Sequence, residues 1–285
     1  MSIRADPRCV FLAVDGKANV ADVFREIQKA VDGPIAPYIK GVKFNDVLQL
    51  PDAGEKLVRD FVAGFPGFVP MVPFVDLKVV DVWDTASNYM KKYYPSFNEL
   101  VVTFSVHCST QVFNNLPQFF PGANVAIFCV GTDVTPEDCK AKYDMTPSEC
   151  AQRWLGFVER KFQVLRDELE ESEKSITQEH CAAHVISSFD MLGMFGESFP
   201  WAGPIVPGIR DHWMLTGNQK RTAHSRAAIE AGARYLVLGG QATRGNPDAG
   251  IDATESQRRT ARQIRLGLGI ASPDDAAEEA RELAA

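Results

Sequence analysis

The sequence reads FVDLKVVDVWDT at residues 74–85, where an apolar, strand-like run ends in charged side chains. Asp76 and Lys78 are two residues apart, so in an extended chain both side chains point to the same face. Asp81 follows three residues later, where the strand is expected to give way to a loop. Three ionised groups among valines and a phenylalanine are costly to desolvate unless they pair with one another. The stretch therefore predicts a strand with a charged site at its end.

Outward from this stretch, apolar runs alternate with segments of helical periodicity along the whole chain. Eight runs are predicted to be strands, at residues 9–14, 39–44, 72–78, 100–106, 125–130, 182–187, 203–206 and 235–238. Helices are predicted at residues 20–31, 55–63, 220–231 and 255–268, and after an N-cap at Thr146 that is followed by Pro147.

Eight buried strands, each followed by a helix, are typical of a (β/α)₈ TIM barrel of about 250 residues. A doubly wound open sheet shares this alternation and is the alternative, although no G-x-G-x-x-G motif follows the first strand. We find neither an internal repeat nor a linker. We therefore predict a single α/β barrel domain at residues 1–270, followed by an acidic tail at residues 271–285 that forms a short exposed helix.

Composition excludes several classes of protein. The chain has 285 residues and a formal net charge of -7, which argues against a nucleic-acid partner held by phosphate contacts. No stretch approaches the roughly 20 apolar residues that span a bilayer, and the charged start is not a signal peptide, so we expect a cytoplasmic protein without a membrane partner. The six cysteines form no C-x-x-C pair and are interpreted as reduced thiols, with no metal site.

Polar residues end most of the predicted strands, and in a TIM barrel the active site lies at those carboxyl ends. They are Asp15, Lys43, Asp76 with Lys78, His107, Thr132, the PGIR segment at 207–210 and the glycine pair Gly239 and Gly240.

Simpler explanations compete for several of these residues. Taken alone, Asp15 is better explained as the cap of the first helix than as a catalytic residue. Lys43 alone could be a solvated lysine at the end of a strand. For His107 we favour a core histidine satisfied by a backbone carbonyl. The glycine pair is explained by a tight turn, although the loops after strands seven and eight commonly hold a phosphate in this fold. The charged cluster at residues 76–81, with Lys43 on the adjacent strand, favours function over a structural ion pair.

The cluster indicates a particular chemistry. An ammonium between carboxylates stays protonated, because opposite charges favour its charged form, and it can donate a proton to a developing carbanion. A carboxylate held against a substrate carboxylate is repulsive until carbon dioxide leaves. No pyridoxal, thiamine or flavin signature is evident, so a decarboxylation at this site is expected to need no organic cofactor.

On these residues the sequence resembles the orotidine 5′-phosphate decarboxylase family. The D-x-K-x-x-D motif followed by threonine stands here as Asp76, Lys78, Asp81 and Thr85. The segments PGIR at 207–210, GNQKR at 217–221 and YLVLG at 235–239 follow in the family's order and at similar spacing. The resemblance implies a homodimeric barrel, with each active site at the subunit interface, that forms uridine monophosphate without a cofactor or metal.

The resemblance also implies roles for single residues. Lys78 is the expected proton donor to C6 of the pyrimidine, Asp76 lies by the departing carboxylate, and Lys43 joins the charge network. Asp81 and Thr85 are expected to reach into the partner's site. The expected substrate-binding residues are Asp15 for the ribose, Thr132 for the pyrimidine, and Arg210, Gln219 and Gly239 for the phosphate, together with Pro207, Gly240 and Arg244.

Arg244 is included because the sequence departs from the family's pattern. The family typically has Gly-Arg after the eighth strand, where the arginine binds the phosphate, and Gly239 is followed here by Gly240. We hypothesise that Arg244 replaces the missing arginine. Two other functions stay open: a magnesium-dependent sugar-phosphate decarboxylase or aldolase on the same barrel, and a catalytically silent nucleotide-binding barrel.

Overall fold

Eight parallel strands close into a barrel in which each strand pairs with the next along the chain and the last pairs with the first. The computed structural model describes residues 6–50, 56–57, 61, 71–93, 100–120, 123–131, 133–171, 183–195, 198–199, 202–215 and 222–284. The predicted single-domain (β/α)₈ TIM barrel is confirmed. The alternative prediction of a doubly wound open sheet is wrong, because β1 pairs with β8 and the sheet therefore has no edge.

The strands are β1 Val10–Ala13, β2 Ile39–Phe44, β3 Val72–Val79, β4 Leu100–Ser105, β5 Ala123–Phe128, β6 Ala183–Ile186, β7 Gly203–Val206 and β8 Tyr235–Leu238. The helices in the described residues are α1 Val20–Val31, α2 Trp83–Tyr93, α3 Thr110–Phe119, α4 Pro136–Tyr143, α5 Pro147–Glu171, α6 Ser225–Glu230, α7 Gly240–Thr243, α8 Ala253–Leu268 and α9 Pro273–Ala284. The helix predicted at 55–63 lies largely outside the described residues.

Local capping explains where the helices begin. The predicted start of α5 is confirmed, since Glu149 N donates to Thr146 Oγ1 (3.2 Å) and Thr146 N donates back to Glu149 Oε2 (2.7 Å). Sequence analysis missed α4, which begins with the same kind of reciprocal cap at Thr135. It also missed the single turn α7.

Two apolar layers surround the strands. The outer layer lies between the strands and the helices, and the inner layer fills the barrel with side chains such as Phe11 and Phe74, whose rings meet edge to face with centroids 5.1 Å apart. Gly41 permits the close approach of β2 to β3, because a Cβ there would lie 1.9 Å from the carbonyl oxygen of Val72. This packing leaves the carboxyl ends of the strands free to form a cavity.

The acidic tail forms helix α9, which packs on α8 through ion pairs to two arginines. The guanidinium of Arg262 is 1% exposed and pairs with Glu278 (3.0 Å) and with Glu282. Arg265 pairs with Asp275 at the start of α9. The helix is therefore held by ion pairs along its inner face, and the division of the chain at residue 270 stays a prediction.

Five cysteines carry free thiols in the described part of the chain, as predicted, and Cys181 lies outside it. No described helix is both long and apolar enough to cross a bilayer. The cytoplasmic location stays a prediction.

A buried histidine on β6 is expected to make folding stability depend on pH. Burial, together with the positive charge of Arg234, lowers the pKa of His184 to about 4, while the unfolded chain titrates near 6.5. The unfolded state therefore takes up a proton first as the pH falls below 6.5. We expect the free energy of unfolding to drop by about 2 kcal/mol between pH 7 and pH 5 from this group alone.

Urea unfolding of the wild type and of His184→Gln at both pH values measures this effect. His184→Gln should lose most of the pH dependence, whereas His107→Gln, at an exposed histidine, should keep it. An equal drop in the wild type and in His184→Gln would show that other groups cause it.

Candidate functional site

The carboxyl ends of the strands surround a cavity of about 280 Å³. Charged side chains from five strand ends and the loops that follow them line it, namely Asp15, Lys43, Asp76, Lys78, Asp133 and Arg210. The predicted active-site end of the barrel therefore carries a concave, charged site.

Four of these side chains form an alternating row of charges. Lys43 Nζ lies 2.8 Å from Asp15 Oδ2 and 3.3 Å from Asp76 Oδ2. Lys78 Nζ lies 2.9 Å from the same Oδ2 atom of Asp76. Asp76 is thus shared by two ammonium groups, and the four charges run from β1 through β2 to β3.

Burial decides the electrostatics of the row. Lys43 and Asp76 have side chains only 9% exposed, whereas Lys78 is 38% exposed and faces the cavity. Burial alone would lower the pKa of Lys43, but the charges of Asp15 and Asp76 outweigh it and raise that pKa. Burial likewise acts to raise the pKa of Asp76, and the two lysines outweigh it and lower that pKa. Both groups are therefore held in their charged forms.

Lys78 reaches Asp76 through an unusual backbone conformation. Its φ is +49°, in the left-handed region that non-glycine residues rarely adopt. The pairing of β3 with β4 shifts register between Val75 and Val79, so β3 is not regular there. The two side chains do meet as predicted, but the argument from an evenly extended chain is wrong in this detail. A strained residue held by its surroundings is frequent at functional sites.

Two contacts that sequence analysis missed hold the row in place. Thr103 Oγ1 donates to Asp76 Oδ1 (2.8 Å) from the adjacent strand β4. The ammonium of Lys78 lies 5.6 Å from the centre of the Phe128 ring, which is within range of a cation–π interaction. A polar threonine within the apolar run 100–105 was the only sequence signal for the first contact.

Three of the simpler explanations are wrong. Asp15 does not cap α1, because Asn19 is the N-cap and accepts a hydrogen bond from Asp22 N (3.0 Å). Lys43 is buried rather than solvated. His107 is exposed, beyond the end of β4, with its ring edge to face against Trp154, so it is not a core histidine.

Asp81 and Thr85 lie apart from the row within one chain. Asp81 accepts a hydrogen bond from Val82 N (2.8 Å) just before α2, and Thr85 is in the first turn of that helix. Neither lies among the described residues that line the cavity, and Asp81 makes no ion pair with the described residues of its own chain. Their expected place in a partner's site stays a prediction.

The substrate-binding residues predicted after β7 and β8 lie next to the β1 end of the charged row, because β8 pairs with β1. Pro207, Arg210 and Gly239 line the cavity, and Gly239 also lines a neighbouring cavity with Gly240 and Arg244. A Cβ at Gly240 would lie 3.1 Å from Arg244 Nη2, so the Arg244 guanidinium occupies the space beside Gly240. Thr132 and Gln219 lie outside the described residues.

Fold and site together define a (β/α)₈ barrel with alternating lysines and carboxylates at its C-terminal mouth. No family model matches the sequence, and no curated protein matches it. Structural neighbours over nearly the full chain are orotidine monophosphate decarboxylases at 10–15% identity.

Three solved structures illustrate the likeness. A provisionally named orotidine-monophosphate decarboxylase from Toxoplasma gondii is 14% identical, with 92% of each chain covered and a TM-score of 0.61. The enzyme from Leishmania donovani is 14% identical, covers 93% of this chain and 96% of its own, and has a TM-score of 0.59. The enzyme from Metallosphaera sedula is 15% identical, with 91% and 99% covered and a TM-score of 0.51. The resemblance seen in the sequence is thus confirmed at the level of the fold.

Proposed function

We propose that the protein decarboxylates orotidine 5′-monophosphate to uridine 5′-monophosphate without a cofactor. The observation that carries this proposal is the row from Asp15 to Lys78, in which a partly exposed ammonium faces the cavity beside a buried carboxylate. Such a pair can supply a proton at a carbon atom while keeping the surrounding charges fixed.

In this reaction the C6–carboxylate bond breaks, carbon dioxide leaves, and the electron pair stays on C6. Lys78 Nζ then donates a proton to C6 and becomes a neutral amine, which regains its proton from solvent. Asp76 holds the ammonium in place and repels the substrate carboxylate, and Lys43 keeps Asp76 ionised. Because these charges are already ordered, they need little reorganisation during the reaction.

A spectroscopic assay tests the proposal directly. Purified protein mixed with orotidine monophosphate should show the loss of the orotate chromophore and release uridine monophosphate. Folded protein that binds uridine monophosphate but gives no turnover would instead support the silent nucleotide-binding barrel. Turnover of a sugar phosphate that is lost with a chelator and restored by magnesium would support the metal-dependent alternative.

Arg244 is proposed to supply the phosphate contact that an arginine at position 240 supplies in the family. Arg244→Ala should raise the dissociation constant for uridine monophosphate about 10-fold to 100-fold, since charge-assisted hydrogen bonds contribute about 1.5–3 kcal/mol each. Calorimetry measures this change, and Arg25→Ala, at an exposed arginine on α1, is the matched control.

A second substitution sharpens this test. Gly240 has no positive φ, and a side chain there would displace only the flexible end of Arg244. Gly240→Arg in the Arg244→Ala background should therefore recover most of the lost affinity. Unchanged affinity in Arg244→Ala would contradict the role of this residue.

The proposed enzyme is a homodimer in which Asp81 and Thr85 complete the partner's site. Exposed apolar side chains near these residues support this arrangement. Val80 and Val82 flank Asp81, and Tyr89 lies one turn after Thr85 on α2. The ring of Phe119 meets that of Trp83 on the same helix, with centroids 5.4 Å apart. Val80, Val82 and Phe119 are each more than 60% exposed. Exposed apolar patches of this kind mark protein interfaces, and a second copy fits because a closed dimer can bury the same patch on both subunits.

Mixing two inactive variants tests the shared site. Lys78→Ala and Asp81→Ala homodimers should each be inactive, whereas mixed dimers should regain activity, since one of their two sites has both residues. Mixtures that stay inactive although subunits exchange would place Asp81 outside the partner's site.

A further inference from the structure

Two buried side chains, Asp211 and Gln241, join the loop after β7 to the loop after β8. Asp211 N donates to Gln241 Oε1 (3.0 Å), and Gln241 Nε2 donates to Asp211 Oδ2 (2.5 Å). The two residues are 1% and 0% exposed and lie 30 positions apart in the sequence. This reciprocal pair therefore fixes how two separate loops face each other.

Each member of the pair is anchored to a helix on the outside of the barrel. Asp211 accepts hydrogen bonds from Ser225 N and Ser225 Oγ at the start of α6, both at 2.7 Å. Gln241 Nε2 also donates to Thr260 Oγ1 (3.0 Å), and Ser256 Oγ donates to Gln241 O (2.8 Å), both from α8. Fully satisfied buried networks of this kind are rigid.

The two loops carry the two arginines of the phosphate side. Arg210 directly precedes Asp211, and Arg244 follows Gln241 by three residues. Arg210 lines the main cavity, Arg244 lines the neighbouring cavity, and Gly239 lines both, so the two arginines lie on either side of Gly239. Burial and the positive charge of Arg244 lower the pKa of Arg210. The bonds between Asp211 and Gln241 hold the two segments that carry these arginines at a fixed separation.

We propose that Asp211 and Gln241 are positioning residues. They hold the two loops at a fixed separation, which allows the guanidinium groups of Arg210 and Arg244 to bind one phosphate dianion together. This inference rests on the proposed function, in which the ligand is a nucleoside monophosphate. Neither side chain needs to touch that ligand, because both act through Arg210 and Arg244. Small displacements of such groups are enough to weaken binding strongly.

Binding of uridine monophosphate and of uridine separates positioning from general stability. Gln241→Leu removes the amide that joins the loops and keeps a similar volume. Its dissociation constant for uridine monophosphate should rise about tenfold or more, while that for uridine, which lacks the phosphate, should stay within about threefold. If Gln241→Leu does not fold, Gln241→Met gives the same comparison.

Two further variants make the result specific. The double variant Asp211→Asn with Gln241→Glu exchanges the amide and the carboxylate, so the amide at position 211 can donate to the carboxylate at position 241. Compared with Gln241→Leu, this double variant should restore much of the preference for the phosphorylated ligand. Gln263→Leu is the matched control, since its amide is buried on α8 and bonds to Glu279, away from both loops. It should lower thermal stability without changing the ratio of the two affinities.

The inference is overturned if Gln241→Leu lowers both affinities equally or changes neither. It is also overturned if the wild type binds uridine monophosphate no more tightly than uridine. Wild-type protein that prefers the phosphorylated ligand but shows no turnover would count against the proposed decarboxylation alone.

Discussion

Lys78→Ala is expected to lower kcat/KM for orotidine monophosphate by about 10³-fold or more. A positioned proton donor contributes about 10²-fold to 10⁴-fold, and the same ammonium also stabilises charge that develops at C6. Steady-state kinetics measures the loss, and calorimetry with uridine monophosphate should show a much smaller change, because the product has no carbanion to protonate. Lys91→Ala, on the neighbouring helix α2, is the matched control. A variant that keeps activity within about tenfold of the wild type would remove Lys78 from the mechanism.

Lys78→Gly separates the amine from the backbone strain. Both Lys78→Gly and Lys78→Ala lack the ammonium, but only glycine adopts a φ of +49° without a steric penalty. We therefore expect the two variants to be equally inactive. The free energy of unfolding of Lys78→Gly should be about 1 kcal/mol higher than that of Lys78→Ala. Equal stabilities would show that the left-handed conformation stores no strain.

Much of the barrel could be predicted from the sequence, because its strands are buried on both faces and read as short apolar runs. The runs 203–206 and 235–238 match β7 and β8 residue for residue. Helices with a buried apolar face, such as α1, were equally clear. The helix α4 was missed because it has little apolar periodicity, and only its capping box at Thr135 indicates it.

Parts of the site could be predicted because parallel strands bring their carboxyl ends together. That geometry placed Lys43 beside Asp76, although 33 positions separate them in the sequence. Local sequence could not settle Asp15, because the choice between a helix cap and an ion pair depends on Lys43, which lies 28 positions away. The positive φ of Lys78 depends on the shifted pairing of β3 with β4, which no local pattern encodes.

The pair Asp211 and Gln241 had no sequence signal. Asp211 is a single polar residue in a loop, Gln241 is one in the short helix α7, and their contact joins positions that are 30 residues apart in the sequence. For Asp81 the sequence signal is clear, because the residue stands at a defined spacing in the D-x-K-x-x-D motif. Within one chain, however, its carboxylate accepts a hydrogen bond from Val82 N and does not join the charged row. A second subunit is what the proposed role requires.

Asp76→Asn is expected to lower both the activity and the free energy of unfolding, the latter by about 3 kcal/mol at pH 7. The wild-type carboxylate is shared by Lys43 and Lys78 and accepts a hydrogen bond from Thr103, so a neutral amide leaves a buried ammonium poorly compensated. Urea unfolding measures the loss. Thr103→Val, which removes one hydrogen bond and keeps the charges, should cost only about 1 kcal/mol.

Two measurements tie that loss to charge. Lys43→Met removes the buried ammonium, so Asp76→Asn should destabilise the Lys43→Met protein much less than the wild type. The native pKa of Asp76 is lowered, so its stabilising effect is present above the unfolded value near 3.9 and disappears as the pH falls through the native value. The difference between the wild type and Asp76→Asn should therefore close at acid pH. A difference that is independent of both pH and Lys43 would show that packing, and not the charge of Asp76, causes the loss of stability.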